Sequence, residues 1–142
     1  MGIKDGNNMG AAMAPAALDT LITHLTDTGR KPSYYDAIIT GDLGHVGKDI
    51  LIELAQTKGY NIKSNYNDCG VLIFDKETQD THSGGSGCAC CGTVFSGYLF
   101  NMLQTKKYKK ILLIATGALM NATSSQQGES IPGIAHAISI EV

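Results

Sequence analysis

No apolar run in this chain approaches the roughly 20 residues that a membrane-spanning helix needs. No strong charge of either sign is present: 11 Lys and Arg against 13 Asp and Glu leave a formal net charge of −2. That balance excludes the basic footprint of a nucleic-acid binder and a strongly attractive surface for anionic lipid. The basic cluster of Lys106, Lys107, Lys109 and Lys110 lies between a helix-like and a strand-like segment and reads as a solvated turn. The start carries one early lysine and no continuous apolar core, so no signal peptide is expected. Gly2 invites myristoylation, but Gly6 stands where that signal requires Ser or Thr. Cysteine is scarce. Of the four, three crowd into positions 88, 90 and 91, unlike the spaced framework of a secreted disulfide protein, and a reducing compartment is the expectation. Tryptophan is absent while glycine occurs 17 times, which favours tight turns and close backbone approaches.

What remains is the length and pattern of one α/β domain over residues 1–142. Residues 1–8 read as a flexible leading segment. Met9 to Thr26 reads as a helix, with Leu18, Leu21, Ile22 and Leu25 in one apolar stripe; Pro15 suits an early turn, and Gly29 a stop. Tyr35 to Thr40 reads as a buried strand, followed by the glycine loop Gly41 to Gly47. A second helix is predicted from Val46 to Lys58. Val71 to Phe74 is a short apolar run, strand or irregular core. Gly87 to Gln104 is predicted as the third helix, Lys110 to Ala115 as a strong buried strand and Gly133 to Val142 as the last strand. Helices alternating with short, near-continuous apolar strands predict a mixed, mostly parallel sheet covered by helices on both faces. With no helix between the last two strands, an antiparallel pair is expected there.

Chemistry concentrates in Thr81-His-Ser-Gly-Gly-Ser-Gly-Cys-Ala-Cys-Cys91. A histidine, a glycine turn and three thiols precede a helix, where unpaired N–H groups suit an anion, an oxyanion or a thiolate. Three readings of the thiols stand side by side. A zinc site with His82 is opposed by the Cys-x-Cys-Cys spacing, which sends Cys90 away from the face shared by Cys88 and Cys91. A reactive thiolate at Cys88 would draw on the helix terminus. Small residues that let a buried helix sit close to its neighbours are the simplest reading, and Cys69 reads as core. Asp42 and His45 flank a glycine loop at a strand's C-terminal end, where α/β folds place ligands; they are equally suited to capping the following helix. His136 reads as a core or sheet-face residue. In the polar stretch from Ser124 to Glu129, Glu129 is the only carboxylate, too few for calcium. No metal and no cofactor are expected.

Five separated blocks carry a resemblance: Asn8-Met-Gly-Ala-Ala-Met-Ala-Pro-Ala-Ala17, Thr40-Gly-Asp-Leu-Gly-His-Val-Gly47, His82-Ser-Gly-Gly-Ser-Gly-Cys88, Ile114-Ala-Thr-Gly-Ala-Leu119 and Glu129-Ser-Ile-Pro-Gly-Ile-Ala-His-Ala137. The order of elements looks like the C-terminal half of a thiolase-like condensing-enzyme fold. Within that superfamily the blocks resemble the stage V sporulation protein AD family of spore-forming Firmicutes. The resemblance implies a preceding thiolase-like half outside this chain. It also implies binding of dipicolinic acid, or its calcium chelate, for uptake into the developing spore, alongside other products of the same operon, some of them membrane-embedded. A cytoplasmic place, or a peripheral one at the forespore membrane, follows from the same resemblance.

Condensing enzymes of this fold draw from their second half a His and a second His or Asn that polarise a thioester carbonyl. Here Thr40-Gly-Asp42 stands where the His is expected, with His45 a few residues late. Gly84 stands where the amide is expected, and glycine has no side chain to donate. The residues therefore favour a binder with no catalytic residue. Its expected ligand contacts are Gly84, Gly85, Ser86 and Gly87, whose backbone N–H groups would donate to a carboxylate, with a directed hydrogen bond from His82 or Ser86, together with Asp42 and His45. The alternative is an acyl-transferring enzyme similar to ketoacyl synthase III, its nucleophilic Cys lying in the missing half. A third is a purely structural lobe. An apolar patch on the first and third helices is expected to face the other half, and the chain on its own is expected to form a homo-oligomer through it.

Overall fold

The computed structural model describes residues 2–82, 87–119, 121, 123 and 126–142. The first helix, α1 (Met9–Thr28), starts where the Asn8 side chain accepts from the Ala11 N–H and stops at Gly29, whose N–H returns to the Leu25 and Thr26 carbonyls. These contacts satisfy backbone groups that a helix end leaves unpaired. Leu18, Leu21 and Leu25 form its buried stripe, as the apolar spacing predicts, and Pro15 sits exposed. β1 (Ala37–Thr40) follows, buried throughout. Next come α2 (Gly44–Thr57), β2 (Tyr66–Asp68) and α3 (Cys69–Ile73). The third long helix is composite: α4 (Cys90–Val94), a π-helical turn (Phe95–Leu99) and α5 (Phe100–Gln104) run on without a break. β3 (Lys110–Ala118) and β4 (Gly133–Glu141) complete the chain.

The sheet has the order β2-β1-β3-β4. β1 lies parallel to β2 and β3, and β3 pairs antiparallel with β4 from Lys110↔Glu141 to Ala118↔Gly133. Strand alternation divides the core in two. Ile38, Leu112 and Ile114 face α1 and α2, while Ala37, Ile39, Ile111 and Leu113 face Cys69, Cys90, Val94, Leu99 and Leu103. Helices thus cover both faces of a mixed α/β sheet, as expected, and the arrangement is compatible with a thiolase-like fold. At β4 the cover is one-sided. Ala135 and Ala137 pack toward α1, whereas Ile134, His136 and Ile138 point to the other face and stand exposed.

α1 and α2 meet backbone to backbone. A Cβ on Gly47 would lie 2.8 Å from the Gly10 Cα, and one on Gly10 only 3.2 Å from the Gly47 Cα. Two glycines at the crossing let the α1 N-terminus lie directly on the loop that leaves β1.

The structure departs from the sequence expectations at three points. The Val71–Phe74 run is not a strand. Asp68 caps it, accepting from the Gly70 and Val71 N–H groups, and so turns it into the helix α3 with Leu72 and Ile73 more than a third exposed. The strand of this region is β2, just upstream, where no apolar run marks it. The third helix begins at Cys90, three residues later than predicted. Finally, α1 and α4 lie on opposite faces of the sheet and so do not share one patch. Large exposed apolar side chains occur instead on the third helix and β4, Tyr98, Phe100, Ile134 and Ile138 among them.

Candidate functional site

The C-terminal ends of β1 and β3, the N-terminus of α1 and the segment leading into α4 enclose a cavity of about 400 Å³. That volume falls within the range of small-molecule sites. β1 reaches this end through Thr40, and Gly41 then turns toward β3. A Cβ at Gly41 would sit 2.8 Å from the Thr116 N and 3.2 Å from the Ala115 Cα, so only glycine lets the two strand ends lie so close. The next residue, Asp42, donates its N–H to Thr116 Oγ1 at 3.2 Å. Its carboxylate accepts from the Gly87 N–H at 3.0 Å, which joins the β1 loop to the segment before α4.

Behind this wall lies Asp68, fully buried. Its two oxygens accept from Thr40 Oγ1 at 2.6 Å, Leu43 N at 2.8 Å, Gly44 N at 3.0 Å, Gly70 N at 2.9 Å and Val71 N at 3.3 Å. Tyr66 Oη lies 2.8 Å from Thr40 Oγ1 and extends the network. Burial raises the Asp68 carboxyl above the usual carboxylate range, against the lowering pull of Thr40 and the Leu43 and Gly44 N–H groups; the neighbouring Asp42 adds to the rise. The first free N–H groups of α2 are therefore spent on a structural carboxylate and not on a ligand.

Of the residues expected at the site, Asp42, His82 and Gly87 line the cavity. His82 is exposed, with positive φ, and its Nδ1 lies 3.0 Å from Asp80 Oδ1. His45 sits in the first turn of α2 and does not line the cavity; its Nε2 is buried without a hydrogen-bond partner among the described residues. Gly84, Gly85 and Ser86 lie outside the described residues. Asn7, Met13 and Thr116 also border the cavity, and sequence reasoning did not name them. Asp68 was missed as well, although an Asp two residues before a glycine and an apolar run is an N-cap signal.

The thiols divide by position. Cys88 is exposed and Cys91 half-buried, both on the cavity wall, while Cys69 and Cys90 are buried in the core beneath. Interaction between the two thiols raises the Cys69 pKa and lowers that of Cys91. Among the described residues no group of three or more His, Cys, Asp or Glu side chains is placed to hold a metal ion, and no helix is long and apolar enough to cross a membrane.

All five sequence blocks described above reach this end of the sheet: the α1 N-terminus, the β1–α2 loop, the segment before α4, the end of β3 and the approach to β4. The family model for stage V sporulation protein AD matches residues 1–141. The chain belongs to the stage V sporulation protein AD family. A curated relative from Bacillus subtilis (strain 168), named Stage V sporulation protein AD, is 43% identical over 141 residues. The match takes in 99% of this chain and 41% of the relative, so the chain spans about two fifths of that protein's length. As a member of the stage V sporulation protein AD family, this is a sporulation protein, and four of the five blocks line one cavity.

Proposed function

We propose that this chain forms part of a non-catalytic sporulation protein that binds dipicolinic acid, or its calcium chelate, for uptake into the developing spore. The observation that carries the reading is the convergence of four of the five blocks on a cavity of about 400 Å³, roomy enough for a single substituted pyridine ring. Thr116 Oγ1 and the Asn7 side chain supply polar groups at its border, and Met9 and Met13 supply apolar surface for a ring face. Asp42 brings a carboxylate to the same wall. A bare dicarboxylate would meet its charge, whereas a calcium chelate would not, so the wall favours the chelate.

The reading without catalysis draws on the residue types. Thr40-Gly-Asp42 stands where a condensing enzyme is expected to have its His, His45 does not line the cavity, and His82 is exposed beside Asp80. In the proposed assembly, the preceding half completes the pocket and membrane-embedded products of the same operon receive the ligand, at the forespore membrane or in the cytoplasm beside it.

Thermal unfolding of the full-length protein with dipicolinate, with and without calcium, tests the proposal. Ligand at a hundred times its Kd should add about 2.7 kcal/mol of stability. Absence of stabilisation under both conditions would overturn it, and turnover of an acyl-CoA would point to the acyl-transferring alternative.

A further inference from the structure

We propose that the end of the molecule opposite the cavity is a docking surface for anionic phospholipid headgroups. β1, β2 and β3 run parallel, and the cavity opens at the C-terminal ends of β1 and β3. Every segment that enters one of these strands therefore lies at the other end, and those segments carry the cations. Arg30 and Lys31 precede β1, Lys58 and Lys63 precede β2, and Lys106, Lys107 and Lys109 lead into β3, whose first residue is Lys110. The fold draws the segments together. Asn65 Nδ2 donates to the Pro32 carbonyl at 2.9 Å, the Asp36 N–H donates to the Lys110 carbonyl at 2.8 Å, and Lys110 Nζ lies 4.0 Å over the Tyr34 ring. Eight of the 11 Lys and Arg thus share this end with only Asp27, Asp36 and Glu141 of the 13 Asp and Glu. Eight positive against three negative side chains give +5 here, and the other three positive against ten negative give −7 elsewhere, a division that the net charge of −2 conceals. Lys106 to Lys110 alone reads as a solvated turn; folding adds Arg30, Lys31, Lys58 and Lys63 to it.

Two of the three acids at this end already have partners. Glu141 pairs with Arg30 at 3.0 Å and accepts from the Tyr34 hydroxyl, and Asp36 accepts from the Lys109 and Lys110 N–H groups at 2.6 and 2.9 Å. Lys31, Lys58, Lys63, Lys106, Lys107 and Lys109 are exposed and make no ion pair or side-chain hydrogen bond among the described residues. The residue types favour lipid over a protein partner. Lysine outnumbers arginine seven to one here, and lysine is depleted at protein–protein interfaces, where arginine and aromatic anchors dominate. A compact charge on a flexible stem suits a fluid layer of phosphate headgroups that offers no fixed geometry. Each lysine close to an anionic leaflet is worth about a fivefold gain in partitioning, so six of them suffice without an inserted apolar anchor. The acidic remainder of the chain is repelled by the same headgroups. Charge thereby sets the orientation as well as the affinity, and the cavity is held on the side away from the bilayer.

The test is co-sedimentation of the full-length protein with vesicles of mixed phosphatidylglycerol and phosphatidylcholine, against vesicles of phosphatidylcholine alone. Binding to the mixed vesicles only is expected, and it should fade as salt shortens the screening length from about 10 Å at 0.1 M to about 3 Å at 1 M. Lys63→Gln with Lys107→Gln should weaken it about 25-fold. Lys4→Gln with Lys76→Gln removes the same charge outside this end and should change it by less than about twofold. All four lysines are exposed, so neither pair disturbs the core. Failure to bind the mixed vesicles, binding that the first pair leaves unchanged, or equal loss from both pairs would overturn the proposal. Capture by a polyglutamate peptide without vesicle binding would overturn it too, and would assign the surface to an acidic protein segment. No dipicolinate enters the measurement, so its failure and the failure of the ligand proposal remain distinct.

Discussion

Asp68 receives hydrogen bonds from Thr40, from the start of α2 and from the first turn of α3, and a single side chain thereby fixes the back of the cavity. Removing it leaves buried N–H groups with no acceptor. Asp68→Ala should destabilise the protein by about 3–5 kcal/mol, the range for breaking a buried charged network, as measured by urea unfolding. The pH dependence has a definite sign. With its carboxyl raised by burial, the folded chain holds this proton to higher pH than the unfolded chain does. Through the window from the ordinary carboxylate value up to the raised one, the folded state binds more protons, so the Asp68 contribution falls as pH rises. Asp36 works in the opposite sense. The Lys109 and Lys110 N–H groups lower its pKa, and its contribution is lost as pH falls through that lowered value. Subtracting an Asp68→Asn pH profile from that of the wild type should isolate the falling component; a flat difference would refute it. At Asp42, the substitution Asp42→Asn should raise affinity for bare dipicolinate and reduce the advantage of calcium, as read by titration calorimetry.

Among the elements, long periodic segments were legible and short ones were not. The α1 stripe, β1, β3 and the antiparallel β3–β4 pair follow from apolar spacing and from the lack of a helix after β3. β2 did not, because its three residues are Tyr, Asn and Asp, and its position is set by a buried hydroxyl and carboxylate. Val71–Phe74 misled because its apolar content matched a strand while its cap, Asp68, dictated a helix. At the site, Asp42 and His82 were legible as loop residues beside glycines. His45 lies in the first turn of α2 and does not line the cavity, a placement that sequence distance alone does not resolve. Glycine substitutions separate the two helix environments. Gly47→Ala drives a methyl into the α1 backbone and should cost about 1–3 kcal/mol. Gly92→Ala, whose Cβ meets nothing within 4 Å, should gain about 0.8–1 kcal/mol. Chemical denaturation of the two variants checks both, and similar effects would sink the packing argument.

On the scale of the whole molecule, the uncovered side of β4 stands out. Ile134 and Ile138 are 56% and 60% exposed, and Tyr98 and Phe100 add large apolar surface. β4 is also an edge strand of nine residues, a form that proteins usually shield. Expressed alone, the chain should self-associate through this side, and Ile134→Lys with Ile138→Lys should shift it toward monomer in light scattering. A monodisperse wild-type monomer at micromolar concentration would contradict the expectation.

The tie between Gly87 and Asp42 has one more consequence. It is a solvent-exposed hydrogen bond at the wall of the cavity, so its breakage requires no core unfolding. The Gly87 amide should exchange with deuterium far faster than the amides of β1 and β3, and a molecule seated behind it should slow that exchange. One backbone proton would then serve as the clock for how often the door opens.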